Sequence, residues 1–187
     1  MTTTYKFGYL DASGAESCYQ YQNVWTRQKT KGTDRLVVAP SSRHVELLVQ
    51  FATVMNEPYG LLYVLHTQRR GAAEAGRYQS PEPITRGQLV LFLQRFGRLL
   101  EGDGRHHFWI SAVDNSSLVV YDNHNLVYAY GPLEAFEAIL RQNNLQETPG
   151  VAFPEPHVHR YNAEFDGLVA DLMNYWPWKR FPLQNSD

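Results

Sequence analysis

The hydrophobic pattern changes period several times along the chain, and each change marks an element. Thr4 to Leu10 alternates, with Tyr5, Phe7 and Tyr9 on one side. Asp11-Ala12-Ser13-Gly14 then supplies turn chemistry, and Ser17 to Trp25 resumes with Tyr19 and Tyr21 two apart. This predicts a β-hairpin. A polar stretch over Gln28–Thr33 separates it from Arg35–Ala39, a short buried strand. From about Arg43 to Asn56 the spacing becomes helical, because Arg43, Glu46, Gln50, Thr53 and Glu57 form one narrow polar stripe. Such a stripe predicts a helix lying across the middle of a sheet. Leu61–Leu65 is the next strand.

Thr67 to Ile84 has no clear period and reads as a long mobile loop, near 67–84. Thr85 can cap a second helix to about Glu101, with Leu89, Phe92, Leu93, Phe96, Leu99 and Leu100 on one face and Gly102 and Gly104 as its stop. Three strands follow, about 107–113, 118–122 and 126–130, joined by turn residues into an antiparallel meander. Gly131-Pro132 opens a third helix. A Pro-marked connector leads to Asn162 as the expected cap of a fourth, with Phe165, Leu168, Val169, Leu172 and Met173 at helical spacing. Residues 176–187 form an apolar-basic tail. The order predicts one α+β domain over 1–187. Its mixed β-sheet holds the three-stranded meander (about 107–130), its helices, about four, pack on that sheet, and its strand–helix–strand units favour parallel pairing.

Composition narrows the classes. Hydrophobic residues make up 43% and charged residues 19% of 187, which excludes intrinsic disorder. Net charge is −2 and one cysteine, Cys18, is present, so no intramolecular disulfide or multi-cysteine metal site can form. Within a strand, Cys18 is expected to be packing rather than a nucleophile. An acidic balance makes nucleic acid an unlikely partner, although Tyr5, Phe7, Tyr9, Tyr19 and Tyr21 interleaved with basic residues resemble a stacking platform. The opening residues lack the basic-then-apolar pattern of a secretory leader, and no apolar run approaches the ~18 residues of a membrane span. A cytoplasmic location without membrane contact is expected.

Candidate chemistry is confined to histidines and carboxylates. His106 and His107 sit at the start of the meander, with Asp122 and His124 at its second turn. Neighbouring strand residues point to opposite faces, so one of the two imidazoles joins Asp122 in either register. A carboxylate orienting an imidazole serves both general-base catalysis and metal sites. His157-Val158-His159 places two imidazoles on one side of an extended segment, where Glu155 or Asp166 could complete a zinc set. The phosphate-loop, dinucleotide, nucleophile-elbow and His-Glu-x-x-His motifs are absent. His44-Val45-Glu46 mimics half of a zinc deaminase signature without its Pro-Cys-x-x-Cys.

These observations rank a non-catalytic module that binds a macromolecule, most readily a protein partner, ahead of an enzyme. Arg69, Arg70, Trp178 and Phe181 are its candidate contacts, of residue types enriched at interfaces. No cofactor is required by that reading. The alternative is a metal-dependent hydrolase that uses zinc or another divalent metal with the histidines and Asp122. It requires at least three of these side chains (His106 or His107, Asp122, His124, His157, His159) to meet in a cleft.

Overall fold

The strand-forming stretches assemble into two sheets in the computed structural model, which describes residues 4–69 and 73–185. In chain order the strands are β1 (Phe7–Leu10), β2 (Glu16–Cys18), β3 (Val24–Gln28), β4 (Arg35–Ala39), β5 (Tyr59–Leu65), β6 (Gly76–Gln79), β7 (His106–Ala112), β8 (Leu118–Tyr121), β9 (Val127–Tyr130), β10 (Gln146–Glu147), β11 (His157–His159) and β12 (Lys179–Phe181). The helices are α1 (His44–Ala52), α2 (Arg86–Gly102), α3 (Leu133–Gln142) and α4 (Asp166–Met173). Nine strands form the large sheet in the order β10-β3-β4-β9-β8-β7-β5-β6-β12, and β11-β1-β2 form the small one.

Strand alternation sorts side chains between two cores. Leu36 and Val38 of β4, Leu61 and Tyr63 of β5, Phe108 and Ile110 of β7 and Val119 and Tyr121 of β8 join the buried residues of all four helices in the main core. The intervening Val37 and Ala39, with Leu126, face the other way and pack with Phe7 and Tyr21 in a second, smaller core. That second core attaches the small sheet, and β11 with it, to the large one.

The sheet is mixed, as expected, and β7-β8-β9 form the meander. Its parallel pair is different from the one expected. The chain passes from β4 through α1 to β5 without pairing those two strands, and the parallel neighbours among the described residues are β10 and β3. The stretch Ser17–Trp25 is also broken: β2 stays in the small sheet and β3 enters the large one, with Asn23 at φ 56° redirecting the chain. The expected loop near 67–84 contains β6, and the tail contains β12. The two pair with each other, Arg180 opposite Tyr78, at the edge of the sheet. Neither segment shows periodicity because each strand is only three or four residues long. Arg70 lies outside the described residues.

Helix starts were partly legible. Thr85 accepts from the Gln88 N–H while the Gln88 side chain takes the Thr85 N–H, a complete capping box. Asn162 does not cap α4. Its amide donates to the carbonyls of Tyr5 and Gly102 instead, and a 3-10 turn over Ala163–Phe165 intervenes. Helix α1 ends at Ala52 rather than Asn56, where the Thr53 N–H and hydroxyl both turn back to the Gln50 carbonyl.

Just before β1, Lys6 is wholly buried. Its ammonium donates to the Leu100 carbonyl at 3.1 Å and lies 3.6 Å from the centre of the Tyr121 ring. Burial pushes its pKa down to about 7, against the opposing pull of Asp122 and Asp103. The unfolded chain therefore holds this proton up to the ordinary lysine range while the folded chain releases it near neutrality. Stability contributed by this site rises with pH from about 7 towards 10.5, at up to about 1.4 kcal/mol per pH unit. Urea unfolding at pH 6.5 and 9 measures it. The wild type should gain stability relative to Lys6→Met between the two, and parallel pH profiles would contradict the assignment.

Candidate metal centre

Two tight local structures bring distant histidines together. The first is the turn between β8 and β9. The Asp122 carboxylate is buried and accepts the N–H groups of His124 and Leu126 at 2.9 Å each, and its second oxygen lies 3.1 Å from His124 Nδ1. Burial alone would raise its pKa, but the His124 ring, the Leu126 N–H and the Lys6 charge together hold it below the usual carboxylate value. Asn125, at φ 63°, lets the chain return. His124 is thus fixed in orientation with Nε2 left for another partner.

The second is β11 against β1, where Phe7 pairs with His159 and Tyr9 with His157. Residues two apart on a strand share a face, so both imidazoles stand over the Phe7 ring, at centroid distances of 5.6 Å and 5.7 Å. The His124 ring meets the same Phe7 at 5.4 Å. Phe153 closes one side, 5.0 Å from His124 and 4.9 Å from His157. His159 Nδ1 lies 3.2 Å from the Asn123 carbonyl, which leaves its Nε2 available as well. Gly104 makes room behind this strand: a Cβ there would stand 2.7 Å from the Lys6 carbonyl and 3.1 Å from His159 Cβ.

One ring nitrogen from each of His124, His157 and His159 lies within 4.8 Å of the other two. In a tetrahedral zinc site with Zn–N near 2.0–2.1 Å, ligand nitrogens are roughly 3.3 Å apart, so the rings need to draw in by about an ångström and a half at most. Burial and the neighbouring His124 and His157 push the His159 pKa down to about 4, which keeps its imidazole in the neutral form that metals bind. Each ring is partly exposed. The donor set is all imidazole, which suits zinc, copper or nickel better than magnesium or calcium.

The sequence candidates separate accordingly. Asp122, His124, His157 and His159 converge. His107 stands behind them: its Nε2 is 3.1 Å from the Asn123 side-chain oxygen and its ring packs 4.2 Å from His66. Burial and His66 push it down to about 4. His106 points to the helix side, fully buried against Tyr63, and burial with the Lys6 charge pulls its pKa well down. Asp166 does not supply a ligand, because Arg105 and Arg69 hold it at 2.8 Å and 3.1 Å. Glu155 is exposed and falls outside the cluster. Cys18 is exposed rather than packed. Among the partner candidates, Arg69 is committed to Asp166 and the Tyr161 carbonyl. Trp178 packs on the main core with its indole N–H on the Leu172 carbonyl. Phe181 is 48% exposed. Sequence reasoning missed the part played here by Phe7, Phe153 and Asn123: Phe7 reaches the site through the pairing of β1 with β11, Asn123 through the turn between β8 and β9, and Phe153 by packing on His124 and His157.

No protein-family model, curated protein or solved structure matches the chain. The site therefore rests on its own geometry.

Removing the Asp122 carboxylate leaves two backbone N–H groups of a buried turn without their acceptor, at about 1–3 kcal/mol each. Asp122→Ala should lower the unfolding free energy by about 2–4 kcal/mol in urea titration, and His124→Ala by less than about 1 kcal/mol. Equal losses would show that the turn does not depend on the carboxylate.

Proposed function

We propose that the protein is a metal-dependent hydrolase whose ion, zinc by preference, is held by His124, His157 and His159. The observation that carries this reading is the meeting of three imidazoles from two distant segments over one buried phenylalanine. Two supports accompany it. The Asp122 carboxylate lies against His124 Nδ1, which fixes the tautomer and raises the basicity of the opposite nitrogen, the one left for a metal. Three protein ligands are the number that catalytic zinc uses, whereas structural zinc is enclosed by four.

A bound ion supplies an activated water at neutral pH and polarises a carbonyl or phosphoryl oxygen. The chain's own residues orient the imidazoles. Asp122 holds His124, the Asn123 carbonyl holds His159, and the rings of Phe7 and Phe153 keep one side dry. The Asn123 amide, in turn, is steadied by His107. The binding-module reading has less beneath it, since Arg69 and Trp178 are engaged within the fold and Phe181 alone of the described candidates is free to meet a partner.

Zinc added at a hundred times its dissociation constant should stabilise the native state by about 2.7 kcal/mol and raise the melting midpoint by about 5–10 °C. Calorimetric titration should give one ion per chain. His124→Ala, His157→Ala and His159→Ala should each remove the shift, Asp122→Asn should weaken zinc binding about 10- to 100-fold, and His107→Ala should retain it. Zinc-dependent hydrolysis of a p-nitrophenyl ester or phosphodiester, lost in the same three variants, tests the reaction. An unchanged midpoint with zinc, nickel and copper would overturn the proposal.

A further inference from the structure

A hollow of about 460 Å³ lies beside the three imidazoles, and Phe153 belongs to the lining of both. Its volume falls within the range of ligand pockets. Val37 and Leu126, two residues of the second core, also line it. The Leu126 N–H is one of the two that Asp122 holds, so the hollow reaches the turn that carries His124. The connector Pro149–Val151 supplies another side.

The remaining side is backbone. Along β3, Trp25 enters the main core, and the guanidinium of Arg27 lies 3.3 Å and 3.6 Å from Glu134 and Glu137 of α3. Thr26 faces the other way, opposite Val37. Arg27 nevertheless lines the hollow, and with its side chain on the helix side it does so through its main chain. The reason is the short reach of β10. Gln146 and Thr148 donate to the carbonyls of Asn23 and Trp25, and strand alternation sends the N–H and C=O of Arg27 to that same edge. Past Thr148 the chain leaves the sheet: Pro149 has no N–H to offer, and Val151 packs on the second core. The connector and β3 therefore part, and a slot opens between them.

A strand edge presents a donor and an acceptor together, which matches the main chain of another extended segment, while the apolar side chains beside it take alternate residues of that segment. A second copy of β3 is a poor occupant, because it would set another Arg27 and Lys29 against the first pair.

We propose that the slot binds an extended peptide, paired through its main chain with Arg27 and laying apolar side chains on Val37, Leu126 and Phe153, and that this peptide is the substrate of the neighbouring centre. The assignment as substrate rests on the hydrolase reading; the binding does not. In the reaction the oxygen of a water bonds to the peptide carbonyl carbon and the C–N bond breaks. The water's protons leave with the amine, giving a carboxylate and an ammonium group.

The probe is a fluorescein-labelled octapeptide, Lys-Thr-Val-Thr-Val-Thr-Val-Glu, read by fluorescence anisotropy on the full-length, zinc-free protein. One peptide per chain should bind saturably. Arg27→Pro removes the edge N–H and should weaken binding at least tenfold, whereas Arg27→Ala keeps it and should stay within threefold. Thr26→Trp, which fills the slot, should abolish binding. Absence of saturable binding, or equal losses in the two Arg27 variants, would overturn the proposal. Should Arg27→Pro fail to fold, amide exchange of the wild type decides: saturating peptide should slow exchange at the Arg27 N–H, and unchanged exchange would overturn the pairing. With zinc restored, mass spectrometry should show cleavage of the octapeptide. Zinc-dependent ester hydrolysis without peptide cleavage would overturn the substrate assignment alone. Failure of zinc to bind would instead strike the hydrolase reading, and the zinc-free measurements would still decide the slot.

Discussion

The whole candidate centre depends on the buried Asp122 carboxylate closing the turn between β8 and β9. Two backbone N–H groups and one imidazole converge on it, and a buried carboxylate without such partners would be protonated or excluded. By satisfying the turn internally, Asp122 makes a short return compatible with burial and gives His124 one orientation. That ring then becomes a fixed post against which β11 is docked. Lys6, buried nearby, adds a positive charge that favours the ionised carboxylate. One polar interaction therefore links the meander, the small sheet and the site.

Phe7 plays the complementary apolar part. It is fully buried and touches all three histidines as well as Tyr19, Tyr21 and Phe153. The ring both anchors the small sheet in the second core and sets the height at which the imidazoles stand. Function and stability are joined here in one side chain: the surface that holds the small sheet in place is also the floor of the proposed centre. The other face of the large sheet, filled by the helices, is free of such demands, and its histidines, His44 and His106, are buried with pKa values driven down by desolvation.

Much of this was legible in the residues and some was not. The capping box at Thr85, the meander and the polar stripe of α1 are local, so their signals lie within a few residues of one another. The pairing of His157 with His159 was likewise legible, because a strand period of two puts them on one face. Their meeting with His124 was not, because it depends on the register of β1 against β11, and three-residue strands carry too little pattern to reveal a partner more than a hundred residues away. Asp166 has the chemistry of a ligand, but the buried Arg105 holds its carboxylate instead. Strands β6 and β12 are hidden for the same reason as β11: each is short and is fixed by pairing with distant segments, β6 with β5 and β12, and β12 with β6. The long stretch around β6 therefore read as a loop.

X-ray absorption at the zinc edge reports directly whether the three imidazoles share one ion, as proposed. The stoichiometrically loaded protein should show a first shell of three imidazole nitrogens with one further light ligand near 2.0–2.1 Å, and no sulfur. Each single histidine variant, given zinc under the same conditions, should lose this three-imidazole shell. A six-oxygen shell, or a spectrum unaltered by those substitutions, would show that the ion sits elsewhere and would contradict the central claim.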